Sequence, residues 1–309
     1  MPSFSAVQAK NSAFAPTYLP VAVFVGGTSG IGRAMAEALA RYTKGNAHII
    51  LIGRNKIAAE SILASFPKPT AESGWKHEFV ECDISLMKNI GAVTGELLRR
   101  LPTINYLVVS SGYMSFLGRK ETEEGIDHQM AVRYYGRWKF IHDTLPALRE
   151  AQSTGEASKV MVVLDTMRPG VADYNDLGLK RKYSGLAAIR ATTVYTDLAL
   201  EEFAQRDPEI AFTHVFPGFV KTPLFSSNHW GVRLVSPLVK PMVAMFAISP
   251  DVCAEYMLFA LLTGEKGFMR RDDKGDDVGM KNYEGSADKR KKLWDHTIEE
   301  VSLDRKAAQ

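Results

Sequence analysis

Short runs of β-branched and aromatic residues alternate with longer amphipathic stretches through most of this chain. Six runs read as strands: VAVFV (Val21–Val25), AHIILI (Ala47–Ile52), HEFVEC (His77–Cys82), INYLVVS (Ile104–Ser110), KVMVVL (Lys159–Leu164) and IAFTHVF (Ile210–Phe216). Most are continuously apolar, as expected of strands covered on both faces. Between them, GRAMAEALARY, LMKNIGAVTGELLRRL and AAIRATTVYTDLALEEFA read as amphipathic helices. Strand and helix in turn predict right-handed βαβ units, hence an α/β fold with a doubly wound parallel sheet.

No repeat, low-complexity tract or linker divides the pattern, so residues 21–285 are expected to form one domain. Residues 1–20 read as an arm packed on the sheet, and 286–309 as a capped outer helix beginning SADKRKKLWDHTIEEV. The segment 222–250, after the sixth strand, is irregular and rich in Pro, Met and aromatic residues. It falls where the carboxyl ends of the strands need a cover, which makes it a candidate substrate lid. Ordinary core or a dimer contact is the alternative.

Composition narrows the functional classes. At 309 residues, 46% hydrophobic and 24% charged, the chain has the balance of a globular protein with a large core. The formal net charge of +3 is spread out, and the densest run, KGDDVGMKNYEGSADKRKK, mixes both signs, so no nucleic-acid partner is expected. Cys82 and Cys253 give no disulfide framework and read as buried thiols. The longest apolar run, SPLVKPMVAMFAISP, is broken by Lys240 and three prolines, and no charged-then-apolar leader opens the chain. A cytoplasmic protein without a membrane span is therefore expected. The histidines lack ligand spacing, so no metal is expected.

The first strand runs into GGTSGIGRAMAEAL, where Gly26, Gly30 and Gly32 form G-x-x-x-G-x-G ahead of a helix. Glycines there let backbone approach a pyrophosphate, and the helix N-terminus supplies free N–H groups. The second strand ends in LIGRN, with Arg54 where an acidic residue would accept hydrogen bonds from the ribose of NAD. A guanidinium suits a 2′-phosphate, which favours NADP(H). A solvated surface charge is the plainer alternative for Arg54.

With these residues in view, the chain resembles the short-chain dehydrogenase/reductase family from the first strand to about Val278. GGTSGIG matches its coenzyme loop, with Gly26, Thr28, Ser29, Gly30, Ile31 and Gly32 as implied contacts. CDIS places Asp83 where the family's acidic residue meets adenine. VSSG sits at its N-N-A-G segment, with Ser110 and Gly112 implied at the coenzyme. PGFVKT matches its P-G-x-x-x-T, so Pro217, Gly218, Val220 and Thr222 are implied to hold the nicotinamide carboxamide. The resemblance implies a Rossmann-type sheet, a nicotinamide coenzyme, hydride transfer, and a homodimer or homotetramer joined through the helices after strands four and five. Several phrases look most like fungal members, including reductases of secondary-metabolite pathways.

The family's catalytic set is Asn, Ser, Tyr and Lys. Tyr183 takes the tyrosine position, but the lysine position holds Ala187. Arg133 stands at the asparagine position and Asp165, followed by Thr166, at the serine position. Without the lysine cation Tyr183 stays protonated near neutral pH, which favours reduction over oxidation. Arg133 and Asp165 are expected to face each other as a charge-assisted pair, or as a structural salt bridge in a decayed site. Arg190 reads as a surface charge or a coenzyme-pyrophosphate contact, Lys180 as a solvated charge, and Tyr113, Phe116, Phe219 and Trp230 as pocket aromatics or plain packing. Two activities are left open: NADPH-dependent reduction of a bulky ketone, enone or iminium in secondary metabolism, and a redox-silent isomerase or cyclase using the coenzyme pocket as a scaffold.

Overall fold

The computed structural model describes residues 2–69, 76–166, 170–222, 247–283 and 285–302. Its strands are β1 (Val21–Val25), β2 (His48–Gly53), β3 (Glu78–Glu81), β4 (Tyr106–Val109), β5 (Lys159–Val163), β6 (Ala211–Val215) and β7 (Gly267–Arg271). They form one parallel sheet in the order β3-β2-β1-β4-β5-β6-β7. The chain crosses from one half of the sheet to the other between β3 and β4, which leaves a crevice beside β1, the usual ligand position in such folds.

β1 shows how the sheet is held. Val21, Val23 and Val25 face one helical layer, while Ala22 and Phe24 face the other. The first layer contains α4 (Met87–Arg100), α6 (Gly136–Ser153), α7 (Gly185–Arg206) and α9 (Ala287–Val301). The second contains α2 (Gly30–Tyr42), α3 (Lys56–Ser65) and α8 (Pro250–Leu262). Each fully buried Val, Leu or Ile contributes roughly 1.5–3 kcal/mol, so two such cores stabilise the sheet from both sides. No helix among the described residues is long and apolar enough to cross a membrane.

Three features depart from the sequence expectations. β7 is a strand that the apolar pattern did not announce, because its GFMRR ends in two arginines. Arg270 is nevertheless buried, since Asp197 on α7 accepts from its Nε at 3.1 Å. The N-terminal arm is partly helical, and its helix α1 (Phe4–Ser12) docks on α8. There Asn11 donates to the Glu255 carboxylate at 2.8 Å, while Phe14 and Tyr18, farther along the arm, reach Tyr106 on β4 of the sheet. The C-terminal helix is capped by Ser286 as expected, yet it buries Leu293, Trp294 and Thr297. Most of the expected lid, 223–246 with Trp230, lies outside the described residues.

Helix α6 is preceded by a single turn, α5 (His128–Met130), and by a π-helical turn over Ala131–Tyr135. The wider π turn carries Arg133 at its centre. Gly136 follows because a Cβ there would lie 2.2 Å from the carbonyl oxygen of Ile84. The helix therefore passes close to the end of β3, within reach of the crevice.

Candidate active site

A cavity of about 310 Å³ opens at the carboxyl ends of β1, β2 and β4. Gly26, Thr28, Ser29, Gly30, Ile31, Arg54, Asp83, Ser110, Gly112 and Thr222 all line it. Gly32, Pro217, Gly218 and Val220 are not on its wall. Gly32 lies beneath the loop, where a Cβ would stand 2.2 Å from Ser110 Oγ. Val220 is buried and bridges to Ile248.

The glycine loop has the shape a pyrophosphate needs. Gly26 has φ +90°, and a Cβ on it would meet the Ser111 backbone nitrogen at 2.6 Å. The helix that follows starts without a side-chain cap, although Ser29 occupies its N-cap. By contrast α1, α3, α7, α8 and α9 are capped by Ser3, Asn55, Ser184, Ser249 and Ser286, and α4 by the Glu124 carboxylate, 2.6 Å from Met87 N. The α2 amides thus remain for an anion beside an open cavity. These residues fit a dinucleotide coenzyme.

At the β3 end, Asp83 accepts from Ser85 N at 3.0 Å and Ser85 Oγ at 2.8 Å. Burial opposes its ionisation, but those bonds and the charges of Arg54 and His128 prevail, holding the carboxyl below its usual range. Arg54 lies 3.7 Å from Asp83, with its side chain 67% exposed. Burial dominates the two cysteines and pushes both thiols up to about 12, so neither is a nucleophile at neutral pH.

The three catalytic candidates separate into two groups. Arg133 is 4% exposed and donates through Nε to Thr192 Oγ1 on α7 at 3.1 Å. Burial lowers its pKa to about 10, while the negative charge of Asp165 works against that shift. One turn on, the buried Arg137 donates to the carbonyls of Val163, at 2.9 Å, and Ser111, tying the ends of β4 and β5 together. Burial first, and then the like charge of Arg133, bring Arg137 to about 9.

Tyr183 belongs to the second group. It sits just before Ser184, which caps α7 by accepting from Ala187 N at 3.1 Å. The negative charge of Asp127, a carboxylate sequence reasoning did not single out, acts on the Tyr183 hydroxyl. Asp127 is buried at the start of α5, where it accepts from Met130 N at 3.0 Å and Lys120 N at 3.1 Å. Burial and then Asp127 raise the Tyr183 pKa above that of an ordinary phenol. The carboxylate opposes the phenolate form, while the Arg119 cation works the other way.

The other expected residues fall as follows. Lys180 pairs with Glu300 on α9 at 3.1 Å, and Arg190 is exposed on α7. Tyr113 lines the cavity, whereas Phe116 and Phe219 are exposed. Among the described residues no cluster of His, Cys, Asp and Glu could hold a metal ion.

A parallel sheet in this order, a glycine loop at its crevice and a tyrosine opening the helix after β5 define a nicotinamide-dependent dehydrogenase architecture. The chain belongs to the short-chain dehydrogenase family, whose model matches residues 20–175. It is an oxidoreductase of that type, in a family whose members bind nicotinamide coenzymes. Oxidoreductase AN1596 of Emericella nidulans is 34% identical over 263 residues, covering 84% of this chain and 77% of its own. Oxidoreductase andH of Emericella variicolor is 31% identical, over 74% of this chain and 66% of its own. Among solved structures, the alcohol dehydrogenase of the archaeon Thermococcus sibiricus, complexed with 5-hydroxy-NADP, shares the fold at a TM-score of 0.58 and 20% identity, covering 84% of this chain and 98% of its own.

Proposed function

We propose that this protein is an NADPH-dependent reductase of a bulky, largely apolar small molecule in specialised metabolism. The observation that carries the coenzyme choice is Arg54, a mobile-length cation at the end of β2 where NAD-specific sites place an acid. A second depression of about 580 Å³ adjoins it, lined by Thr28, Ser29, Arg54, Asn55, Lys56 and Ile57. Arg54 and Lys56 give that depression two cations for a 2′-phosphate. When bound, the reduced coenzyme supplies hydride from its nicotinamide ring.

The substrate class rests on the surface beside Tyr183. Phe116, Leu117 and Leu186 are exposed there, with Gly185 packed directly against the Ser115–Phe116 backbone. Such a rim suits an apolar ligand. Reduction is the favoured direction, because a phenol held protonated by Asp127 cannot serve as the base for oxidation. Arg133 and Asp165 hold the polar end of the substrate, and Arg137 fixes the strand ends around them. The assignment to specialised metabolism leans on likeness to fungal oxidoreductases.

A second reading is favoured by one feature: burial and the Asp127 charge together hold the Tyr183 proton in place. An isomerase or cyclase with the coenzyme as scaffold would need no proton from that phenol. The deciding experiment mixes the protein and NADPH with ketones, enones and iminium ions while following absorbance of the reduced coenzyme. Consumption matched to product supports the reductase; product without consumption replaces it with the second reading.

A further inference from the structure

His128 stands in the main cavity beside Cys82, Asp83 and Ile84 at the end of β3. Its ring meets Tyr113 edge-on, with centroids 4.5 Å apart and planes at 66°. Val132, four residues on, lines the same wall. The backbone amide of His128 donates to Lys120 O at 2.8 Å, which fixes the residue at the head of α5. Its Nδ1 is buried without a hydrogen-bond partner among the described residues. Its Nε2 has no hydrogen-bond partner among the described residues and stays accessible.

The position of the ring says what it meets. β2 and β3 lie on one side of β1, and β4 to β7 on the other. With a pyrophosphate on the α2 amides, the half of the dinucleotide that carries the purine lies toward β2 and β3. His128 shares that side with Asp83 and Arg54, whose charges both reach it. Arg133, carried round by the π turn, faces Thr192 on α7 instead.

We propose that His128 is a recognition residue for the purine ribonucleotide half of the coenzyme. Its Nε2 hydrogen-bonds the base edge, while its ring, Tyr113 and Val132 form the wall on which the base lies. The charges around the imidazole come from Asp83 on the β3 end, Arg54 on the β2 end, Lys120 in the preceding loop and Asp127 beside it. Burial outweighs the two carboxylates and lowers the imidazole pKa, so the neutral ring makes the bond. The assignment rests on the NADPH reading above and goes beyond it, since neither the glycine loop nor Arg54 touches the base.

Two variants test it by calorimetry with 2′,5′-ADP and with NADPH. His128→Phe keeps a ring against Tyr113 but removes the hydrogen bond, and should weaken both ligands about tenfold. His128→Gln returns an amide nitrogen to the Nε2 position and should recover most of that loss. Native protein and His128→Phe binding 2′,5′-ADP within about twofold would overturn the assignment, as would a His128→Gln loss equal to that of His128→Phe. A native protein that binds neither NADPH nor NADH removes the coenzyme reading and this residue's role with it. Native binding of NADPH without any His128 effect removes only the latter.

Discussion

The two ends of the cleft are built in opposite ways. The nucleotide end works through backbone: a left-handed glycine, uncapped helix amides, and a Gly26 with no room for a side chain against Ser111. The acceptor end works through side chains whose partners sit on other elements: Arg133 with Thr192, Tyr183 with Asp127. Backbone geometry admits little variation before it fails. Side-chain chemistry can be exchanged position by position while the scaffold persists. Here the glycine loop lines the cavity, while Ala187 stands one helical turn after Tyr183.

Substitutions at the two ends should therefore differ in kind. Gly26→Ala forces a Cβ into the Ser111 backbone at φ +90°, at a cost of about 3 kcal/mol. It should lower the melting temperature and abolish the NADPH-induced thermal shift together. Asp165→Asn acts on charge alone, removing a negative charge that favours the buried Arg133 cation, for a loss of about 1 kcal/mol in denaturant unfolding. The double variant with Arg133→Gln should be less destabilised than the sum. If Arg133→Ala and Asp165→Ala both leave turnover intact, the pair is a structural salt bridge.

Arg54→Gln should separate binding from folding. Its exposed side chain makes stability change by less than about 0.5 kcal/mol, while NADPH affinity falls about tenfold and NADH affinity stays level. The smallest effect belongs to Tyr183. Its pKa is raised in the native state, so the unfolded chain releases that proton first as pH climbs past about 10. Native stability relative to Tyr183→Phe should therefore decline above that pH. Ala187→Lys places an ammonium one turn away and should bring the phenol down by about one unit in alkaline difference spectra.

What could be read from sequence divides along the same line. The glycine spacing, Arg54 and the six apolar strands are local patterns, and the structure puts the glycine loop, Arg54 and Asp83 on one cavity. Arg133, Asp165, Tyr183 and Ala187 were legible as residues at registers that the family resemblance picks out. The partners were not. Asp127 meets Tyr183 only because α5 folds beside the start of α7, where Gln129 Nε2 donates to Gly185 O at 2.8 Å. β7 escaped notice for a related reason: Arg270 breaks its apolar run, and its burial is met by the Asp197 carboxylate and the carbonyls of Thr166, Gly279 and Lys281. His128 gave no motif, since its meaning comes from Tyr113 and Asp83 in space.

The central claim is that the intact nucleotide end still selects a phosphorylated nicotinamide coenzyme beneath an altered acceptor end. Isothermal titration of the native protein with NADPH and with NADH tests this directly. The account predicts saturable binding of NADPH at least about tenfold tighter than NADH. Equal affinity for the two contradicts the role of Arg54, and absence of heat with either contradicts the account as a whole.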